Sequence, residues 1–291
     1  MNSDYITFKN FDISTISPIN CGGIVKNFFV VYTRKGLKEI FKKIKDNKWK
    51  SYIVGGCTKI LFKDTITYDC FIKYENKEMK IEKDEIKCGS GNTLSNMISL
   101  ITSMGYKGFE GLIGIPGLIG GAICNNSGAF GNEIQDNIRY VKYMNYDGKI
   151  ITLSRKQCQF RYRHSIFKDK QLGVIIEACF KLKKGDPILI KRKIEQYRNK
   201  RLTSQPLNSK TLGCTFKNPP FLSAGRLIDD CELKGLTDEG VKVSTIHGNF
   251  LEFSKKKSTK NALRIIDIII DKVYNKTNLE LELELLIVGW N

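Results

Sequence analysis

The sequence predicts an α+β protein with a larger N-terminal domain, residues 1–186, and a smaller C-terminal α+β domain, residues 187–291. Three observations carry this reading. Segments of helical period and segments of strand period both recur along the chain. Hydrophobic residues make up 41% and charged residues 27% of the 291 positions, enough for a buried core and unlike a disordered chain. Gly185-Asp186-Pro187 then punctuates the sequence, immediately before a basic helical segment.

The elements follow in order. Leu37, Ile40, Phe41 and Ile44 give an amphipathic helix within Gly36–Asp46, and Ser51–Phe62 reads as strand, glycine turn, strand. Leu94, Ile98 and Ile101 give a second helix, which leads into a glycine-rich run from Gly105 to Gly131. Strand signals return from Tyr140 to Phe180, with a hairpin at Asp147-Gly148 and a β-rich stretch over Gly173–Lys183. Ile188 to about Thr203 is helical and ends near Gln205-Pro206. Further helices cover Ala224–Glu232 and, from a Ser258 cap, the positions Leu263, Ile266, Ile270 and Tyr274. Leu279–Leu285 alternates Leu and Glu, which predicts a strand carrying Glu280, Glu282 and Glu284 together on a wet face.

Lysines number 38 and arginines 10 against 30 acidic residues, for a net charge of +18. The lysines are scattered, as at Lys42, Lys43, Lys45 and Lys48, rather than interleaved with aromatics, so a solvated basic surface is expected in place of a nucleic-acid platform. Nine cysteines, an odd number with no CxxC pair, and two histidines without ligand spacing indicate neither a disulfide framework nor a metal site. No secretory signal is expected at Met1–Asn10 and no spanning segment anywhere, so the protein is expected to be cytoplasmic.

Four segments suit chemistry. Gly114-Ile115-Pro116-Gly117 through Gly120-Gly121 to Asn126 and Gly128 has two open readings: turns between packed strands, or amides offered to phosphate oxygens. Gly55-Gly56-Cys57-Thr58 is a second such turn, and neither matches a dinucleotide fingerprint or a lysine-serine phosphate loop. Tyr162-Arg163 sets a guanidinium among aromatics, either gripping a carboxylate or lying over the rings. Gly213-Cys214 precedes Lys217-Asn218, and a thiol, ordinarily of pKa about 8.5, is either a proton donor or a small buried hydrophobe.

The order of these segments resembles the UDP-N-acetylenolpyruvoylglucosamine reductase (MurB) family, in its shorter subtype, from about Ile16 to Gly289. Nine collinear patterns carry the resemblance: Gly22-Gly23; Gly55-Gly56; Gly114 to Gly131 with Glu133-Ile134; Tyr162-Arg163 with Ser165; Gly213 to Pro219; Ala224-Gly225 with Leu227-Ile228; Leu233-Lys234-Gly235; Val243-Ser244 with His247 and Asn249-Phe250; and Leu283-Glu284. It implies a two-lobed FAD-binding domain of the vanillyl-alcohol-oxidase type, its lobes parting near residue 75, followed by the substrate-binding C-terminal domain.

It further implies reduction of the enolpyruvyl ether of UDP-N-acetylglucosamine to UDP-N-acetylmuramate for peptidoglycan, with FAD as cofactor and NADPH as donor. Arg163, Cys214 and Glu284 match the catalytic positions, Cys214 standing where the family commonly has serine and Glu284 acting as a protonated acid. Gly55, Gly56, Cys57, Thr58, Gly117, Gly120, Gly121, Asn126 and Gly128 match the FAD cradle; Tyr162, Lys217 and Asn218 match substrate contacts. The first turn departs from Gly-Gly-Gly-Ser-Asn, reading Gly55-Gly56-Cys57-Thr58-Lys59. The implied partners are small molecules, with no nucleic acid, no membrane and a monomeric chain. An alcohol oxidase of the same flavin fold and a basic nucleic-acid-binding protein are the alternatives.

Overall fold

A computed structural model describes residues 3–254 and 258–289. The chain forms two compact units. Of the described residues, the first comprises 3–10, 26–56 and 68–199, and the second 11–25, 57–67, 200–254 and 258–289. The second unit thus takes two N-terminal segments in addition to the C-terminal part, and the chain passes between the units within the helix Pro187–Ser204. A linear reading of composition has no access to that exchange, which depends on long-range pairing.

In the first unit the expected helix and the strand after it are Arg34–Asp46 and Ser51–Val54, and the strand Ile24–Val31 precedes them. Both strands pair in parallel with Cys70–Tyr74, which lies between them in the sheet. Thr33 starts the helix by accepting the Gly36 N–H at 3.0 Å, satisfying one of the amides a helix N-terminus leaves open. Its buried stripe, Leu37, Ile40, Phe41 and Ile44, packs on Phe29, Val31 and Ile72.

The same unit holds a five-stranded antiparallel sheet in the order Ile150–Ser154, Ile138–Met144, Val174–Lys181, Glu85–Gly89, Met79–Glu82. The hairpin joining its first two strands turns at Asp147-Gly148, where Gly148 has φ +76°. Helix Leu94–Ser103, capped by Thr93, buries Leu94, Met97, Ile98 and Ile101 in the core beneath the sheet.

In the second unit Thr237–Asp238, Val241–Val243 and Leu251–Phe253 form a small antiparallel sheet. Helices Ala224–Asp230 and Thr259–Thr277 share a core with it that includes Leu227, Ile228, Val241, Ile265, Ile266 and Ile269. Ser258 caps the long helix and Asn278 ends it with φ +58°. Among the described residues no helix is long and apolar enough to cross a membrane.

One expected element is absent. Leu279–Leu285 is not a regular strand; it makes a single bridge, Leu283 to Phe216, and the strand begins only at Leu286–Val288, parallel to Ile60–Phe62. The three glutamates do not share a wet face. Glu280 and Glu282 are exposed, whereas Glu284 is 6% exposed. Alternation tracks faces only while a strand is regular, and here the chain bends around the Cys214 segment before entering its sheet.

Candidate active site

The glycines of the first unit divide by what surrounds them. Gly56 and Gly117 are needed by the protein itself: a Cβ on Gly56 would come 3.2 Å from the Gly117 Cα, so the two turns press backbone against backbone. Gly120 packs against Ser90, and Gly128 leaves room for Arg163 and Glu133. Gly55 and Gly121 differ. A Cβ on Gly55 would touch only Leu118, at 3.8 Å, and one on Gly121 would meet no atom within 4 Å.

Asn126 is fully buried, and its amide donates to Glu133 Oε2 at 2.8 Å and to the Arg161 carbonyl at 2.9 Å. It braces the glycine run against the Arg161–His164 turn. Tyr162 and Arg163 form the corner of that turn, Arg163 with φ +53°. The Arg163 guanidinium donates from Nη2 to the Gly128 carbonyl at 2.7 Å, has Glu133 at 4.0 Å and lies 4.8 Å over the exposed Tyr162 ring. The arginine thus lies over an aromatic ring and is oriented by the Gly128 carbonyl, with the Glu133 carboxylate at the edge of ion-pair range.

Cys57 and Thr58 belong to the second unit. Cys57 adopts φ +56°, a left-handed conformation that glycine takes without strain, which gives a physical reason for glycine at this position of the family pattern.

In that unit the chain segments around residues 214–217, 249–250 and 282–284 meet. Cys214 bridges Phe250, the Thr215 N–H donates to the Asn249 carbonyl at 2.8 Å, and the Glu284 N–H donates to the Thr215 carbonyl at 2.9 Å. Cys214 and Glu284 are therefore brought to one corner. Lys59 joins them: its ammonium donates to the Cys214 carbonyl at 2.7 Å and pairs with Glu284 Oε1 at 2.9 Å.

Lys217 pairs with the exposed Glu282, and Asn218 Oδ1 accepts the Ala224 N–H at 3.0 Å, tying the loop to the following helix. Cys214 is half-buried, whereas burial pushes the Cys70, Cys88 and Cys158 thiols up to about 12. No disulfide joins cysteines among the described residues. Arg201, 7% exposed, is held below its ordinary value by burial, with Cys214 nearby opposing the shift.

Lys59 and Arg201 were not among the candidate residues from sequence. Lys59 reaches Glu284 because Ile60 pairs with Leu286 in register, a relationship with no local sequence signal.

Residues 26–154 match an FAD binding domain, and residues 205–288 match the C-terminal domain of UDP-N-acetylenolpyruvoylglucosamine reductase. The fold is shared over 62% of this chain with 6-hydroxy-D-nicotine oxidase from Arthrobacter nicotinovorans, at a TM-score of 0.50 and 13% identity. Fold and matched domains together define an FAD-dependent oxidoreductase. The particular kind is given by nearer relatives. The UDP-N-acetylenolpyruvoylglucosamine reductase of Clostridioides difficile strain 630 is 34% identical over 88% of this chain and 85% of its own, and that of Clostridium botulinum strain Alaska E43 is 33% identical over 97% and 92%. The structure of a reductase of that name from Thermus caldophilus superposes with a TM-score of 0.83 at 26% identity, covering 98% of each chain. The chain belongs to the UDP-N-acetylenolpyruvoylglucosamine reductase family. Neither the alcohol-oxidase nor the nucleic-acid-binding alternative is favoured.

The glycine turns fit an FAD. Gly121 and Gly55 border space that a side chain would fill, whereas Gly56, Gly120 and Gly128 are taken up by close packing.

Proposed function

We propose that this chain reduces UDP-N-acetylglucosamine enolpyruvate to UDP-N-acetylmuramate with NADPH, through FAD, using Arg163, Cys214 and Glu284 at the reacting centre. The segment 1–186 supplies the FAD-binding lobes, parting near residue 75, and 187–291 the sugar-nucleotide contacts. The protein acts as a cytoplasmic monomer in peptidoglycan precursor synthesis, and so supports cell shape and division.

When bound in the glycine cradle, FAD would supply two-electron hydride chemistry between NADPH and the vinyl group of the substrate. The chain's own residues manage the charge and the proton. Hydride addition drives negative charge toward the substrate carboxylate, and Arg163, oriented by the Gly128 carbonyl, is a fixed cation suited to hold it. The Cys214 Sγ–H gives its proton to the carbon bearing the ether oxygen, and the thiolate recovers one from solvent. Lys217 meets the diphosphate by charge, Asn218 adds amide hydrogen bonds, and Tyr162 flanks the substrate. Gly55, Gly56, Gly117, Gly120, Gly121 and Gly128, with Cys57, Thr58 and Asn126, shape the FAD cradle.

The adjacency of Cys214 and Glu284, far apart in sequence and joined through the Glu284 N–H bond to Thr215, carries the reading. Its test is the product. Incubation with NADPH and the enolpyruvyl substrate should yield a sugar nucleotide heavier by two hydrogens; unchanged substrate alongside a flavin-loaded protein would overturn the proposal.

A further inference from the structure

We propose that Lys59 is a positioning residue for the reductive step: it supplies the counter-charge of Glu284 and fixes that carboxylate relative to the Cys214 backbone. The inference rests on the reductase reading and assigns a residue that the reading does not use.

Three features of the second unit place Lys59 there. Parallel pairing of Ile60 with Leu286 brings the residue just before one strand alongside the stretch just before the other, and the Leu286 N–H donates to the Lys59 carbonyl at 2.9 Å. The side chain then crosses Gly213, whose φ is +72°; a Cβ there would lie 3.2 Å from Nζ, so the glycine leaves the passage the lysine takes. The ammonium ends between the Cys214 carbonyl at 2.7 Å and Glu284 Oε1 at 2.9 Å, with the lysine side chain 27% and the glutamate side chain 7% exposed.

A carboxylate so far from water needs a partner, because desolvation of an unpaired charge is costly. Among the described residues, Lys217 pairs with Glu282, and Arg201 donates from Nη1 to Gln205 at 3.2 Å. A bare carboxylate would also oppose the negative charge that hydride addition builds on the substrate. The Lys59–Glu284 pair is neutral as a unit, so Glu284 is able to sit at the reacting centre as a carboxylate without that repulsion. Through its second bond Lys59 holds the Cys214 backbone at a set distance from Glu284.

The test separates the two half-reactions in the FAD-loaded protein and adds a spectroscopic readout. In Lys59→Met, NADPH should still bleach the flavin at the parent rate, while reoxidation by the enolpyruvyl substrate slows roughly 100-fold, with KM within about threefold of the parent. Lys59→Arg should recover most of that loss, and Lys59→Met should add little in a Glu284→Gln background. Infrared difference spectra against Glu284→Gln should show the Glu284 band shifted between the parent and Lys59→Met. Reoxidation at the parent rate in Lys59→Met, equal slowing of both half-reactions, or full additivity with Glu284→Gln would overturn the proposal. A parent protein that NADPH bleaches but the substrate does not recolour would instead overturn the reductase reading itself, and the proposal with it.

Discussion

The Asn249 side chain brackets the backbone of Phe216: its Oδ1 accepts the Phe216 N–H at 2.8 Å and its Nδ2 donates to the Phe216 carbonyl at 2.9 Å. Both residues are buried, so neither backbone group has water as a substitute. The amide thus fixes the segment that presents Cys214 two residues earlier. Asn249→Leu removes both partners at once, and each stranded buried group costs roughly 1–3 kcal/mol. Chemical denaturation should show a loss of about 2–6 kcal/mol. An unchanged denaturation midpoint would mean that the clamp is dispensable.

Two glycine-to-alanine substitutions separate packing from cofactor binding. A Cβ on Gly128 would lie 2.9 Å from the Asn132 carbonyl oxygen and from Glu133 Cγ, and 3.1 Å from Arg163 Nη1. Gly128→Ala should therefore lower stability of the FAD-free protein. Gly121 lies in the helix Ile119–Cys124 with open space beside it, and alanine is the better helix former by up to about 1 kcal/mol. Gly121→Ala should hold or raise the melting temperature without FAD and weaken FAD binding in a titration. Undiminished FAD affinity would remove Gly121 from the cradle.

His247 makes folding sensitive to acid. Its Nδ1 accepts the Asn249 N–H at 3.2 Å, a bond only the unprotonated nitrogen makes, and burial holds its pKa below the ordinary 6.5, with Lys234 adding to the effect. The unfolded chain returns to the ordinary value. It therefore binds a proton before the folded protein does, so the stability His247 provides is complete above about pH 6.5 and is lost as pH falls through the folded value. Urea unfolding at about pH 7.5 and about pH 5.5 should show a larger acid loss in the parent than in His247→Gln. Equal losses would place the acid sensitivity elsewhere.

Local order was legible in the sequence wherever a single element decides it. The stripe Leu37, Ile40, Phe41, Ile44 and the Asp147-Gly148 turn are complete within a dozen residues, and both form as expected. Leu279–Leu285 misled because its alternation is perfect while its environment is set by the Cys214 segment, which arrives from far away in sequence and buries Glu284 alone of the three glutamates. Arg163 and Cys214 were visible through collinear motifs. Lys59 was not, because what gives it a role is the register between Ile60–Phe62 and Leu286–Val288, and register between distant strands leaves no trace in either one.

The central claim is the reductase reaction, and stopped-flow absorbance of the flavin under anaerobic conditions tests it most directly. NADPH should bleach the purified yellow protein, and the enolpyruvyl substrate should then restore the colour in step with formation of UDP-N-acetylmuramate. Cys214→Ala should bleach normally and recover roughly 100-fold or more slowly, while Cys214→Ser recovers most of the rate. Flavin that stays bleached with the substrate and regains its colour only when oxygen is admitted would contradict the account.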